Sequence, residues 1–192
     1  MPSARLQALL ERSTAQRPTY PEVGATRAAV LDGEALPPGY HHLRYQRLLG
    51  TGDAVFEAAA ASVMSWGMHR GVGFDLVATS PLAVEGTTVA FGIGRGPFVL
   101  PASCRVVWTV DEPGRRGFGY ATLPQHPEDG EEAFVASTDS AGRVWVEMVA
   151  FSNPGRWFTK ATVFAGPTLQ RLAVAAYARA VATDVRRATG GR

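Results

Sequence analysis

Several features that define common protein classes are scarce in this chain of 192 residues. Cys104 is its only cysteine, which excludes an intrachain disulfide and a cysteine metal site. Lys160 is its only lysine, and the arginines are scattered, so the net charge of +2 indicates no nucleic-acid surface. No apolar run approaches the roughly 18 residues needed to span a bilayer, and no signal peptide is evident. We therefore expect a cytoplasmic protein with no membrane span and no nucleic-acid partner.

What the chain does contain is typical of a globular protein. The hydrophobic fraction is 46% and the charged fraction 19%. A chain of this size can bury roughly 70% of its unfolded surface without disulfides or metals. We expect a single domain over residues 1–192, with an N-terminal helix and extended arm in 1–40 and a sheet-and-helix core in 41–188.

The N-terminal half shows helical periodicity on either side of a region rich in proline and glycine. Leu6, Leu9 and Leu10 predict a short amphipathic helix, and the breakers between residues 17 and 40 predict an extended arm. A strand is predicted over 41–49. Asp53 then caps a second helix that ends near Gly67, with a buried face predicted to consist of Phe56, Ala59, Ala60, Val63 and Trp66.

The hydrophobic period then changes from 3.6 to 2. Strands are predicted over 76–79, 87–93, 103–111, 117–123, 132–137 and 143–151, and the short turns between them favour antiparallel pairing. A long helix follows to about Arg187, and its predicted buried stripe is Leu169, Leu172, Ala173, Ala176, Tyr177, Ala180 and Val181. This order predicts an α+β fold, a curved antiparallel sheet wrapped around a long C-terminal helix, which resembles the helix-grip or START-like architecture. Such folds commonly leave a cavity between sheet and helix.

The most distinctive motif lies between the fourth and fifth of these strands. Residues 120–132 read Y-A-T-L-P-Q-H-P-E-D-G-E-E, and residues 104–107 read C-R-V-V. Both segments resemble an uncharacterised family, the domain-of-unknown-function family nineteen-ninety, whose signature is Y-G-T-L-P-G-H-P-E-x-G-E-E. The resemblance extends from Tyr20 to about Tyr177, and Ala121 and Gln125 replace glycines of the signature. It implies no mechanism, because the family has no established activity.

The motif supplies candidate acid and base groups. Tyr120 lies on the same strand face as Phe118, and His126 and Glu132 would be brought near it by the hairpin, where they could act in general acid-base chemistry. The alternative is structural. His126 and Glu132 could instead hydrogen-bond the backbone of a loop that contains two prolines.

The last strand offers a further candidate, Glu147, between Trp145 and Phe151 on one face. If that face points inward, burial would raise the pKa of Glu147 and Arg105 would be its natural partner. If it points outward, Glu147 is a solvated strand residue. The sequence leaves both readings open.

Aromatic residues define the candidate ligand-binding set. The predicted lining comprises Trp66, Arg105, Trp108, Phe118 and Trp145 together with Tyr120. Trp66, His69 and Arg70 end the first long helix. Either all three lie at the pocket mouth, or Trp66 belongs to the core and the other two are solvated. The adjacent His41 and His42 face opposite sides of a strand, and the glycines 92, 94 and 96 lack the rest of a nucleotide fingerprint. We therefore expect no metal and no cofactor.

These observations predict two roles. The first is binding of an apolar or aromatic small molecule in an interior pocket. The second is a cofactor-independent enzyme of the cyclase, isomerase or lyase type that uses Tyr120, His126, Glu132 or Glu147 as acid and base. A filled interior would instead indicate a structural interaction module.

Overall fold

The computed structural model describes residues 4–94, 99–155 and 166–191, with side chains from Gln170 onward in the last range. Its helices are α1 (Ala4–Ser13), α2 (Ala25–Leu31), α3 (Asp53–Met64), α4 (Gly67–Gly71) and α5 (Gly166–Ala188). Its strands are β1 (His41–Thr51), β2 (Leu76–Ala78), β3 (Thr88–Ile93), β4 (Leu100–Glu112), β5 (Arg115–Thr122), β6 (Glu128–Thr138) and β7 (Arg143–Pro154). No helix within these ranges combines the length and apolarity that a membrane crossing requires.

The strands form one antiparallel sheet in the order β1-β7-β6-β5-β4-β3-β2. Consecutive strands from β2 to β7 are neighbours, as expected where short turns join them, and β1 pairs with β7 at the edge. The curved sheet lies against α5, which confirms the predicted α+β helix-grip architecture. We call the face towards α3, α4 and α5 the inner face and the opposite one the outer face.

The main core fills the inner face. Alternation along β7 places Val144, Val146 and Met148 on this side, where they join the buried faces of α3 and α5. All of the residues predicted to form the buried face of the second helix are indeed buried: Phe56, Ala59, Ala60, Val63 and Trp66. Trp66 adopts a left-handed conformation (φ 64°), which separates α3 from α4.

The outer face carries a second apolar cluster beneath the N-terminal arm. Tyr20, Ala29 and Leu36 from residues 17–40 pack on Trp108 and Phe151. Within the arm lies α2, a helix that the density of prolines and glycines did not predict. The sheet is therefore covered on both faces at this end, which explains why β5 and β6 are almost continuously buried.

A β-bulge gives Trp108 its place on the outer face. The pairing of β4 with β5 shifts between Val106 and Trp108, so that Trp108 lies opposite Gly119. A Cβ atom at position 119 would overlap the Trp108 indole. Glycine is thus required here for the close approach of a ring, and the same indole hydrogen-bonds to the arm.

The buried side of α5 differs in part from the predicted stripe. Tyr177, Ala180 and Val181 are buried as expected, whereas Leu172 is 58% exposed and Ala173 is also exposed. The side chain of Leu169 lies outside the described residues. The stripe actually runs through Val174, Tyr177, Ala178, Val181 and Val185. The physical reason is that α5 borders the cavity through Ala173 and Val174, whereas Leu172 points away from it into solvent.

Candidate functional site

A cavity of about 430 Å³ opens between the inner face and the first turns of α5. It lies at one end of the strands, where β1, β4 and β6 begin and β3, β5 and β7 end. Its walls are largely apolar and aromatic, including Phe74, Phe91, Ile93, Leu100, Val174 and Tyr177. Concave apolar sites with a few polar groups are the usual places for small molecules to bind.

The polar groups of the cavity come from the motif region. Tyr120, at the end of β5, donates a hydrogen bond to Glu132 Oε2 at 3.2 Å across the β5–β6 pair. Burial and, to a smaller extent, the neighbouring Glu128 raise the pKa of Glu132, and the Tyr120 hydrogen bond lowers it, which together give a pKa of about 8. Burial also raises the pKa of Tyr120. At pH 7 this pair is therefore mainly uncharged.

Glu128 lies on the same face of β6 and is tied to α5. Gln170 Nε2 donates to Glu128 Oε1 at 3.0 Å and to Ser152 Oγ at 2.9 Å. Burial raises the pKa of Glu128, whereas its hydrogen bonds with Gln170 and Ser152 and the nearby His41 lower it. This bridge fixes the start of the terminal helix over the cavity.

His126 lines the cavity from the loop between β5 and β6. The backbone N–H of Glu128 donates to His126 Nδ1 at 3.1 Å, which is the loop contact that the structural alternative predicted. Burial lowers the pKa of His126 to about 4, so the ring is neutral at pH 7. Glu132 makes its contact with Tyr120 and not with the loop backbone.

His69 lies behind this group and is completely buried. Its Nε2 is 3.4 Å from the Tyr120 hydroxyl, and its Nδ1 has no hydrogen-bond partner within the described part of the chain. Burial lowers the pKa of His69 to about 3, so the imidazole is neutral. The helix end that carries Trp66 and His69 is therefore part of the core. The buried position of His69 on α4 could not be predicted from helical spacing, because the left-handed conformation of Trp66 interrupts the helical period.

Of the nine residues predicted from the sequence, the structure brings Tyr120, His126 and Glu132 together around the cavity. Phe118 is on the inner face but packs in the filled part of the core, with its ring centroid 5.2 Å from that of Trp66. Trp108 and Trp145 are on the outer face. The Trp108 indole donates to Thr26 at 3.0 Å, and that of Trp145 donates to Asp139 at 3.2 Å.

Arg105 and Glu147, which were expected to pair if the aromatic face of the last strand pointed inward, have other partners. Arg105 donates to the backbone oxygens of Ser13, Thr14 and Gln16, and so holds the end of α1. Glu147 is on the outer face, with 33% of its side chain exposed and Arg44 3.9 Å away. Alternation identified the residues that share a face with Glu147, but it did not indicate which face is concave.

Glu131, the neighbour of Glu132, was not singled out from the sequence and is almost fully buried on the outer face. It accepts hydrogen bonds from the Tyr20 hydroxyl at 2.5 Å, the Gly24 N–H at 2.7 Å and the Thr26 N–H at 2.9 Å. The Thr26 hydroxyl and the Trp108 indole also donate to it. This carboxylate anchors the N-terminal arm to the sheet.

No metal centre competes with this cavity within residues 4–94, 99–155 and 166–191. There, no three His, Cys, Asp or Glu side chains are arranged to hold a metal ion. Cys104 is buried in β4, and burial raises the pKa of its thiol. Tyr120, Glu132 and their neighbours can form hydrogen bonds and transfer protons.

Residues 19–180 match the model of a family described as a domain of unknown function, DUF1990. The chain belongs to this family. A UPF0548 protein of Deinococcus radiodurans is 34% identical over 193 aligned positions, which cover 92% of this chain and 91% of the relative. The DUF1990 match includes the cavity, the anchoring carboxylate Glu131 and most of α5.

Solved structures with little sequence similarity share the fold. A hypothetical protein from Helicobacter pylori aligns with a TM-score of 0.62 at 9% identity, covering 88% of this chain and 96% of its own. The Zhui aromatase/cyclase from a Streptomyces species aligns with a TM-score of 0.53 at 14% identity, covering 77% and 94%. These alignments place the DUF1990 chain among helix-grip folds.

The raised pKa of Glu132 gives a testable pH dependence of stability. An acid whose pKa is higher in the folded state binds more protons there, so stability falls as the pH rises from about 5 through 8. Glu132→Gln should remove this slope. We expect the variant to match the wild type near pH 5 and to be more stable by about 1–3 kcal/mol at pH 9, allowing for solvent that reaches a half-buried carboxyl.

Urea denaturation of both proteins across this pH range measures the difference. Glu112→Gln is the matched control, since Glu112 is exposed at the end of β4 and its substitution should leave the pH profile unchanged. Parallel profiles for the wild type and Glu132→Gln would contradict the assignment.

Proposed function

We propose that this protein binds an apolar or aromatic small molecule in the cavity between the sheet and α5. The observation that carries the proposal is the cavity itself, about 430 Å³ with aromatic walls and a small polar group at one side. The shared fold agrees with this proposal, since the Streptomyces neighbour is called an aromatase/cyclase. Fold similarity alone does not assign a function.

The site residues we propose are those that face the cavity. Phe74, Phe91 and Tyr177 form the apolar contact surface, and Tyr120 and Glu132 orient the polar end of the ligand. His126 and Glu128 complete the polar side. Trp108, Trp145 and Glu147 have no place in this site because they lie on the outer face.

The experiment is a fluorescence titration with N-phenyl-1-naphthylamine, an uncharged probe that emits strongly in apolar surroundings. We expect saturable binding with a Kd in the micromolar range, which is the affinity expected of a small, uncharged apolar probe. Ala173→Trp places an indole against the cavity and should weaken binding by about tenfold or more, since the space becomes occupied. Leu172→Trp, next to it on α5 but in solvent, is the matched control.

Two results would overturn the proposal. One is no saturable binding by the wild type. The other is equal binding by the Ala173→Trp and Leu172→Trp variants, which would locate the probe elsewhere.

The Tyr120–Glu132 hydrogen bond favours a second candidate, a cofactor-independent enzyme of the cyclase, isomerase or lyase type. An acid with a pKa near the working pH is suited to proton transfer, and Glu132 has a raised pKa of about 8. In this role Glu132 and Tyr120 would exchange protons with a bound substrate. The two candidates differ in outcome, because only an enzyme would return the ligand chemically changed, as detected by mass spectrometry.

A further inference from the structure

The polar side of the cavity has an unusual charge composition. Glu128 and Glu132 share the inner face of β6, and the position between them on that face is Gly130, which has no side chain. Both carboxyls therefore border the same open space beside bare backbone. Apolar side chains, among them Phe74, Phe91 and Ile93, line much of the rest of the cavity.

No lysine or arginine is present among the described residues that line this space. Two histidines line it, His41 and His126. His126 is neutral at pH 7 because burial lowers its pKa, and the exposed His41 lies near Glu128 at the rim. Within the described chain, neither Glu128 nor Glu132 forms a salt bridge. The described lining of the cavity thus offers acidic and hydrogen-bond-accepting groups and no lysine or arginine.

From this arrangement we propose that the ligand carries an ammonium group on an aromatic or apolar body. The ammonium would be held by Glu132, with Glu128 beside it, and the body would lie against Phe91 and Tyr177. A charge-assisted hydrogen bond in a site of low polarity is stronger than the same contact in water. This inference rests on the proposed function, since it specifies the ligand class of the same cavity.

The groups around Glu132 determine how binding depends on pH. Tyr120 faces it from β5, Tyr177 from α5, Cys104 from β4 and Glu128 from its own strand. Burial raises the pKa of both tyrosines and of the thiol, so that among these groups Glu132, with a pKa of about 8, changes charge near neutral pH. A bound cation stabilises the ionised Glu132 and expels its proton. Affinity for an amine should therefore increase as the pH rises from about 6 to 8.

The test compares three indoles of similar shape on the full chain by isothermal titration calorimetry: tryptamine, which is cationic, tryptophol, which is neutral, and indole-3-propionate, which is anionic. At pH 8 we expect tryptamine to bind about tenfold more tightly than tryptophol, with the anion weakest. At pH 7, titrations in buffers of different ionisation enthalpy should show release of a proton when tryptamine binds and none when tryptophol binds.

Two substitutions locate the effect. Glu132→Gln should bring the tryptamine and tryptophol affinities to within about threefold of each other. Glu147→Gln removes a carboxylate of the outer face and should leave the preference intact. Glu128→Gln gives an independent second measurement, with a smaller loss of preference.

The outcomes separate the two proposals. If tryptophol binds and tryptamine binds no better, the ammonium inference is wrong and the binding function stands. If the preference survives in both Glu132→Gln and Glu128→Gln, the carboxyls do not hold the ammonium. If none of the three indoles and no N-phenyl-1-naphthylamine binds, the binding function fails and the inference with it.

Discussion

A chain that ends before Gly166 should not fold cooperatively. Helix α5 supplies Val174, Tyr177, Ala178, Val181 and Val185 to the main core. Each large apolar side chain contributes about 1.5–3 kcal/mol by its burial, so the loss of α5 removes about 5–10 kcal/mol from the helix side alone. Whole domains are stable by only about 5–15 kcal/mol, and the exposed inner face of the sheet adds to the deficit.

Near-UV circular dichroism and thermal melting test this expectation. The truncated chain should show no fixed aromatic signal and no sharp transition. The matched control removes residues 189–192, which follow α5, and should melt within about 2 °C of the full chain, since Thr189, Gly190 and Gly191 are exposed. Retention of a sharp transition without α5 would show that the sheet is stable by itself.

The second large effect is expected at Glu131. Glu131→Ala leaves the Tyr20 hydroxyl and the N–H groups of Gly24 and Thr26 without their acceptor. Unsatisfied buried donors are costly, and we expect a loss of about 3–5 kcal/mol in the free energy of unfolding. The arm of residues 17–40 should also become more sensitive to proteases, because its main polar anchor is gone.

Urea denaturation and limited proteolysis measure these two effects. The adjacent Glu132→Gln is the internal comparison, since it changes a carboxyl on the inner face and should leave the arm protected. A loss below about 1 kcal/mol for Glu131→Ala would mean that the apolar contacts of Tyr20 and Leu36 hold the arm without the carboxylate.

Much of the fold could be predicted from periodicity because most elements carry a strong local signal. Burial alternates along β4 and β7, turn residues separate the strands from β4 to β7, and α3 has a clear apolar face. Helix α2 was missed since it is short and flanked by glycine and proline. The buried face of α5 was predicted incorrectly at the start of the helix, because Leu172 faces solvent beside the cavity.

The candidate site was predictable only where one motif supplied several of its members. Tyr120, His126 and Glu132 are close in sequence and meet across one hairpin. His69 and Gln170 join them from distant parts of the chain, and no local pattern links these positions. Glu128 belongs to the same motif, but its place beside Glu132 was missed because the strand was predicted to begin at 132 instead of Glu128. Trp108 and Trp145 were misplaced for a different reason. Both faces of the sheet are buried at this end, so apolar character does not reveal which face is concave.

The two neighbouring carboxyls also determine how β6 aligns with its partners. Sliding this strand by one residue would turn Glu131 towards the inner core, away from the five donors that surround it, and would turn Glu132 towards the aromatic cluster of Trp108 and Phe151. Each misplacement would bury an acid without a matching group. The adjacent pair therefore favours a single register of β6 with its neighbours. Because both faces of the sheet are buried here, apolar character alone would not exclude a register shifted by one residue.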